Sequence, residues 1–299
     1  MFAWHDAIWQ QLTQSQRQHR FHHALLLHGL VGVGKQVLAT ELAEALLCEQ
    51  HELLTSCGQC KSCALFKANT HPDLIKIAPQ GQSISVDEIR ELASFVHHSA
   101  QQNGNKVAII VNAHKMTHSA ANALLKTLEE PNVGRYLLLT CDDISQLPAT
   151  ILSRCNKIQV VVNDRNLANE WIKKQLPSDI NYPWLIGFID QPLKVQQWYL
   201  DNQLEQIDML YKFACDVKAS HNFESVQRIL NDSPELVDVL CLFIQQYLKA
   251  SLLDGLALQV YNEAQNALNQ FMADSKQILG LNQSLALSKL VNTLKRSSK

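Results

Sequence analysis

The sequence has no surplus of positive charge. Its 26 Lys and Arg stand against 28 Asp and Glu, a formal net charge of -2. The balance is also local: 13 basic and 13 acidic residues precede Asn163, while 13 and 15 follow. A protein whose main task is to grip DNA carries a basic surplus on one domain. Tight, direct nucleic-acid binding is therefore not expected, and only a modest contact inside a larger assembly is left open. The N-terminal MFAWHDAIWQQLTQ lacks the apolar core and small-residue cleavage site of a secretory leader. The most apolar stretch, Leu236 to Leu258, is broken by Asp238, Lys249 and Asp254, so it reads as a buried helix and no membrane association is expected. Internal repeats and low-complexity linkers are missing too. What remains, 46% apolar and 18% charged residues over 299 positions, is an ordinary globular composition, expected in the cytoplasm and long enough for two or three domains.

Over residues 1–162, short apolar runs alternate with amphipathic helical patterns. The runs are Ala24–Leu27, Leu74–Ile77, Val107–Val111, Leu137–Thr140 and Ile158–Val162. Most lack polar alternation, as strands covered on both faces do. Between them, Val37, Leu38, Leu42, Ala45 and Leu46 keep to one helical face. Ser85 with Glu88 spells a capping box ahead of Val86, Ile89, Leu92 and Val96. Thr117 is an N-cap for a helix with Ala121, Leu124, Leu125 and Leu128 inward, which Pro131 stops. Strands separated by helices predict a parallel, doubly wound sheet. After about residue 163 the strand signals end. Short helices punctuated by Pro177, Pro183 and Pro192 give way near residue 203 to long helical patterns such as Leu236, Leu240, Ile244, Tyr247, Leu248, Leu252.

The first strand runs into Gly29-Leu-Val-Gly32-Val-Gly34-Lys35-Gln36, which opens the first long helix. Glycines there let backbone N–H groups turn inward as an anion nest, and Lys35 would reach the β- and γ-phosphates. The pattern predicts a P-loop fold with Gly29, Gly32, Gly34 and Lys35 as its nucleotide-facing residues. Hydrolysis is a separate matter. Gln36 stands where a Ser or Thr hydroxyl would bind Mg²⁺. At the end of the strand Val107–Val111, an Asp for the metal and a Glu for the water are replaced by Val111 and Asn112. Three losses in one site exclude efficient hydrolysis. ATP binding without hydrolysis stays open beside a vestigial loop kept for packing.

Four of the eight cysteines cluster as Cys48-x8-Cys57-x2-Cys60-x2-Cys63. In a reducing compartment such a cluster favours a metal over disulfides. Four thiolates make a closed tetrahedral zinc site with no position for substrate water, hence a structural one. A redox C-x-x-C does not need four cysteines, and an iron–sulfur cluster would need partner chemistry that the sequence does not display. His51 and His71 read as solvated or capping residues, and the scattered Cys141, Cys155, Cys215 and Cys241 as core. His22-His23 and His97-His98 lack a third ligand at metal spacing and read as solvated. Glu129-Glu130 reads as a helix-end acidic pair.

Three segments together resemble the clamp-loader subunits of bacterial DNA polymerase III, members of the AAA+ family. They are Asn122-Ala-Leu-Leu-Lys-Thr-Leu-Glu-Glu-Pro131, the strand ending at Thr140, and Ser153-Arg154-Cys155. The resemblance is dense over residues 20–160 and fades to helical layout beyond. The four-cysteine insertion, Thr70-His-Pro-Asp73 after it and the decayed ATP site direct the resemblance to the delta-prime branch. The gamma/tau motors have a loop ending in Lys-Thr and an intact acidic pair. A motor would also carry a nucleotide-sensing arginine around Gly187 to Val195, where the only base here is Lys194.

The resemblance implies a five-stranded AAA+ domain over 1–162 with a zinc module at 48–63. A small helical lid over 163–202 and an all-α oligomerisation collar over 203–299 would follow. It implies that Arg154, at the end of a short helix from Leu147 to Ser153, is an arginine finger supplied in trans to a neighbour's γ-phosphate. Thr140 would be the polar sensor position, here a hydrogen-bonding core residue. The chain would then be no enzyme on its own but a stator working with gamma/tau and delta subunits, the beta clamp and primer-template DNA. Two rivals stand: an active or slow ATPase motor of the same kind of complex, and a zinc module that itself docks DNA or a protein.

Overall fold

The computed structural model describes residues 1–50, 54–102, 104–130, 132–216, 223–277 and 283–296. The chain forms two units, one of residues 1–179 and 186–196, the other of residues 180–185 and 197–299. The first unit begins with a 3₁₀ turn at Ala3–His5. There follow α1 (Asp6–Arg17), β1 (Ala24–His28), α2 (Lys35–Leu47), α3 (Lys61–Lys67), β2 (Leu74–Ile77) and α4 (Val86–His97). Then come β3 (Lys106–Ile110), α5 (His118–Glu129), β4 (Arg135–Cys141), α6 (Ala149–Leu152), β5 (Asn156–Gln159) and α7 (Arg165–Gln175).

The five strands form one sheet in the order β2-β3-β4-β1-β5, every pairing parallel. The apolar runs explain this burial. Leu25, Leu27, Val107, Ile109, Leu138 and Ile158 face one core, shared with Leu38, Leu42 and Leu46 of α2. Ala24, Leu26, Ala108, Ile110, Leu137 and Leu139 face the other, shared with Ile89 and Leu92 of α4 and Leu124 and Leu128 of α5. Successive residues point to opposite faces, so a strand covered on both sides must be apolar throughout. Truncating a fully buried leucine such as Leu26 to alanine costs about 2–5 kcal/mol.

The caps form as the sequence predicts. Ser85 Oγ accepts from the Glu88 N–H, and the Glu88 carboxylate accepts from the Ser85 N–H at 2.7 Å. Thr117 accepts from the Ala120 N–H at 3.2 Å. α5 ends at Glu129, and Pro131 lies outside the described residues. The fifth strand departs from expectation, spanning Asn156–Gln159 rather than Ile158–Val162. β5 is an edge strand bonded to β1 alone, and β1 stops at His28 where the glycine loop turns away. One last bond, from the Val160 N–H to the His28 carbonyl at 2.7 Å, closes the pairing.

Helix α8 (Pro192–Leu200) is followed in the second unit by α9 (Leu204–Cys215), α10 (Phe223–Asp232), α11 (Val237–Leu253), α12 (Leu258–Gln277) and α13 (Gln283–Arg296). Pro234–Leu253 is long and apolar enough to cross a membrane by length and composition, with a mean hydropathy of 1.5. Its Leu240, Cys241 and Ile244 are nonetheless buried, and α11 packs on α9 and α12. In the same unit the buried Asp208 carboxylate accepts from the Trp184 indole at 3.2 Å and pairs with Lys212 at 2.7 Å.

Candidate functional site

The glycine loop sits where ligands bind in doubly wound sheets, at the carboxyl ends of the strands. It follows β1 and opens α2, whose N-cap Gly34 has a left-handed backbone at φ +95°. A cleft of about 280 Å³ there is lined by Gly32, Lys35, Gln36, Val111, Asn112 and Thr140 among others. Of the nominated loop residues, Gly32, Gly34 and Lys35 line the cleft, whereas Gly29 packs against the Val160 backbone. Gln36 is exposed. Thr140 is buried and accepts from the Asn112 N–H at 2.9 Å, a hydrogen-bonding core residue as expected.

Lys35 decides what the loop can do. Its side chain is only 6% exposed. The ammonium donates to the Gly29 carbonyl at 2.9 Å and the Leu30 carbonyl at 2.7 Å, and pairs with Asp142 at 2.8 Å. An ammonium has three N–H groups, and these three oxygens take them all. A phosphate would have to displace the Asp142 carboxylate, which already supplies the negative charge. Behind it, His114 Nε2 lies 4.0 Å from the other Asp142 oxygen, and burial lowers the His114 pKa against the pull of Asp142.

The loop is also packed from both sides. The Val33 carbonyl accepts from the Trp4 indole at 3.0 Å and from His5 Nε2 at 2.9 Å. Phe2 stacks on Trp4 with centroids 4.7 Å apart, and Trp171 of α7 meets both edge-on. Burial lowers the pKa of His5, keeping its ring neutral. On the other side a Cβ added to Gly32, at φ +82°, would stand 2.8 Å from Lys194 Cβ, and the Leu193 N–H donates to the Gly32 carbonyl. Sequence reasoning missed Asp142, Trp4 and His5. The aromatic Phe2-Ala-Trp4-His5 was the available signal.

Arg154 lies elsewhere. It follows α6 and precedes β5, whose Asn156 pairs with Leu25 near the start of β1. The glycine loop leaves the opposite end of that strand. From Leu25 to His28 is three strand steps, about 10 Å, and Arg154 lies two residues before Asn156, beyond the start of the strand. Arg154 therefore lies past the opposite end of β1 from this chain's own loop. Its neighbours in the motif have clear roles: Ser153 Oγ donates to the Thr150 carbonyl at 3.0 Å, and Cys155 is buried in the core, its thiol pushed up to about 11 by burial. The guanidinium, one-third exposed, donates to the Thr150 carbonyl at 2.9 Å and pairs with Glu129. Glu129, read as a helix-end acid, is thus the partner of Arg154.

The other end of α2 carries the cysteines. Cys48 is the C-cap of α2 and Cys60 the N-cap of α3, so two helix termini present thiols to one point. The Sγ atoms of Cys48, Cys57, Cys60 and Cys63 all lie within 4.8 Å of one another, with Cys48 and Cys60 4.0 Å apart. Four sulfurs at about 2.3 Å from a tetrahedral ion stand about 3.8 Å apart, so the set fits zinc and is too wide for a disulfide. Backbone N–H groups of Gln50 and Cys57 donate to Cys48, that of Cys60 to Cys57, and that of Cys63 to Cys60. Donation from Gln59 and Cys60 brings the Cys57 thiol down to about 6. Burial raises Cys48 and pushes Cys63 up to about 12, protons that a bound cation would displace.

Other expectations are corrected. His71, read as solvated or capping, is buried, and its Nδ1 takes up the Asp73 backbone N–H. His51 lies outside the described residues. Cys141, Cys155 and Cys241 are buried, but Cys215 at the end of α9 is exposed. His23 is half-buried and donates to the Leu128 carbonyl at 3.1 Å.

Comparison with known proteins agrees with the motifs. A family model described as "DNA polymerase III, delta subunit" matches residues 4–163. The chain is 40% identical over 176 residues to DNA polymerase III subunit delta' of Haemophilus influenzae, covering 58% of this chain and 54% of that one. It is 35% identical over 177 residues to the same subunit of Escherichia coli, covering 58% and 53%. The chain thus spans about half the length of these curated relatives in the matched region. A solved Thermotoga maritima protein related to the DNA polymerase III gamma subunit shares the fold, with a TM-score of 0.56 at 16% identity over 97% of this chain and 100% of that one. With the family model covering more than half of its length and named relatives at this identity, the chain belongs to the DNA polymerase III delta-prime family.

Proposed function

We propose that this chain is the non-hydrolysing stator of a DNA polymerase III clamp loader, which processes no ATP and lends Arg154 to the ATP site of an adjacent motor subunit. The satisfied ammonium of Lys35 carries the reading. A lysine whose three donors are spent on Gly29, Leu30 and Asp142 has none to offer a γ-phosphate. Without a hydroxyl at Gln36 or acids at Val111 and Asn112, the loop also lacks what would hold Mg²⁺. The position of Arg154, at the far end of the sheet from Lys35, supports service in trans. In such a site its guanidinium would leave Glu129 and meet charge developing on the neighbour's phosphoryl group.

The remaining parts follow. The helical domain over 203–299 would be the oligomerisation collar and the segment 163–202 the lid. The partners would be gamma/tau and delta subunits, with the beta clamp and primer-template DNA reached through the assembly in the cytoplasm. Cys48, Cys57, Cys60 and Cys63 would hold zinc, which supplies a closed cross-link and no chemistry.

The test is ATP turnover by the isolated chain and by an assembly reconstituted with gamma/tau and delta. The isolated chain should turn over nothing above background. An arginine finger is worth about 10³–10⁵ in rate at the site it serves, so Arg154→Ala should silence one site of the assembly. Isolated turnover that vanishes on Lys35→Ala, or an assembly rate indifferent to Arg154→Ala, overturns the reading.

A further inference from the structure

Helix α3 has seven residues, too few to stand alone in water. Yet it carries Cys63 and is capped by Cys60, so two of the four sulfurs depend on where it lies. A buried polar chain holds it. Ser62, between those cysteines, is 1% exposed, and His71 is 6% exposed. The Asp73 backbone N–H donates to His71 Nδ1 at 3.1 Å, which makes Nδ1 the bare nitrogen and puts the proton on Nε2. Nε2 then donates to Ser62 Oγ at 2.5 Å, and Ser62 donates onward to the Leu47 carbonyl at 2.6 Å. This direction is the reverse of a catalytic Ser–His pair, where the serine gives its proton to the imidazole.

The chain ends on a significant atom. Leu47 is the last residue of α2, and the final carbonyls of a helix have no partner within it. Ser62 satisfies Leu47, and Asn105 Nδ2 satisfies Leu46 at 2.8 Å. The next residue is Cys48. At the other end, the fully buried Asp73 carboxylate accepts from the Gln101 and Gln102 N–H groups at 2.8 Å each. One hydrogen-bonded line thus runs from the loop before β3, through His71 and Ser62, to the helix end bearing the first cysteine.

We propose that Ser62 and His71 are positioning residues of the four-cysteine site, locking the Cys60–Cys63 turn onto the carboxyl end of α2 so that the four sulfurs converge before an ion arrives. The inference rests on the reading of that site as a zinc site. Residues that orient ligands without touching the metal are typically worth 10–100-fold in metal affinity. The lock predicts that its loss appears mainly as faster release.

The test is zinc release from the full chain to a chromophoric chelator, with Co²⁺ substitution as a spectroscopic check on tetrahedral thiolate geometry. Ser62→Ala and His71→Ala should release zinc about 10–100-fold faster. His71→Gln, whose amide places a donor where Nε2 stood, should recover most of the difference. His71→Asn, which fills the space with its donor nearer the backbone, should not. If Ser62→Ala fails to fold, the Gln and Asn variants still give the comparison. Equal release from all variants, or equal release from the Gln and Asn forms, overturns the lock alone. A wild-type chain that retains no zinc or cobalt overturns the metal reading and the lock together.

Discussion

The two ends of α2 are in opposite condition. At the amino end, the Lys35 ammonium and the Val33 carbonyl of the glycine loop are engaged by the chain itself: Lys35 by Asp142 and two carbonyls, Val33 by Trp4 and His5. At the carboxyl end, about 20 Å away for a helix of 13 residues, four sulfurs converge at the spacing of a tetrahedral ion. The difference teaches what a buried charge requires of its surroundings. A buried ammonium cannot be left unpaired, and here the Asp142 carboxylate pairs with it. Four thiols already meet at one point, and their neighbours' N–H groups donate to them instead.

That contrast is broken most directly at the carboxyl end. Replacing Cys57 and Cys60 together by serine should abolish metal retention and remove metal-linked stability on the order of 5–10 kcal/mol. Metal content and a thermal melt measure both. An unchanged melting temperature would mean that the site staples nothing. At the amino end, Gly32→Ala is expected to cost about 2–3 kcal/mol, because the added Cβ meets Lys194 at 2.8 Å from a backbone at φ +82°. Urea unfolding reads this, and a cost under half of that value would show the loop free to move away from the α8 segment.

Much of this was legible in the sequence, and the limit has a physical cause. The strands could be read because burial on both faces demands unbroken apolar runs, as in Ala24–Leu27. The caps at Ser85 and Thr117 could be read because capping is local. The cysteine site was legible because ligand identity and spacing nearly define it. The missing hydrolytic groups were also plain, since Gln36, Val111 and Asn112 occupy known places in a known motif. What fills the gap was not legible. Asp142 lies 107 positions from Lys35 and belongs to no motif, and the two meet only because β1 pairs with β4. Glu129 and Arg154 meet for a similar reason, across the packing of α5 on α6. The burial of His71 was not legible because its partner, Ser62, is a small residue whose own burial depends on how the cysteine turn folds back.

Acid offers a gentler way to sharpen the comparison, because it acts on the amino end through His5 and His114. Burial lowers both pKa values below the ordinary 6.5. The unfolded chain therefore takes up protons before the folded one does. The stability these rings contribute is complete above pH 6.5 and is lost as pH falls from there through the folded values. His23 and His28, also lowered by burial, act in the same direction. Urea midpoints at about pH 7.5 and 5.5 should show lower stability in acid, with a smaller drop in His5→Gln. A midpoint that rises on acidification contradicts the neutral, buried assignment.

The smallest effect is expected at Arg154, and its smallness is informative. The guanidinium is one-third exposed and Glu129 about half exposed, so their ion pair is screened by water. Arg154→Ala should change the unfolding free energy of the isolated chain by no more than about 0.5 kcal/mol. Lys35 is the opposite case, because its own side chain is buried and its removal would leave partly buried oxygens of Gly29, Leu30 and Asp142 without their donor. An arginine that contributes little to its own fold, in a chain whose lysine is part of that fold, is the pattern expected if one cation serves another molecule and the other serves this one. A measured loss of 2 kcal/mol or more, the range of a bond to a charged group, would instead make Arg154 a structural residue and remove the contrast.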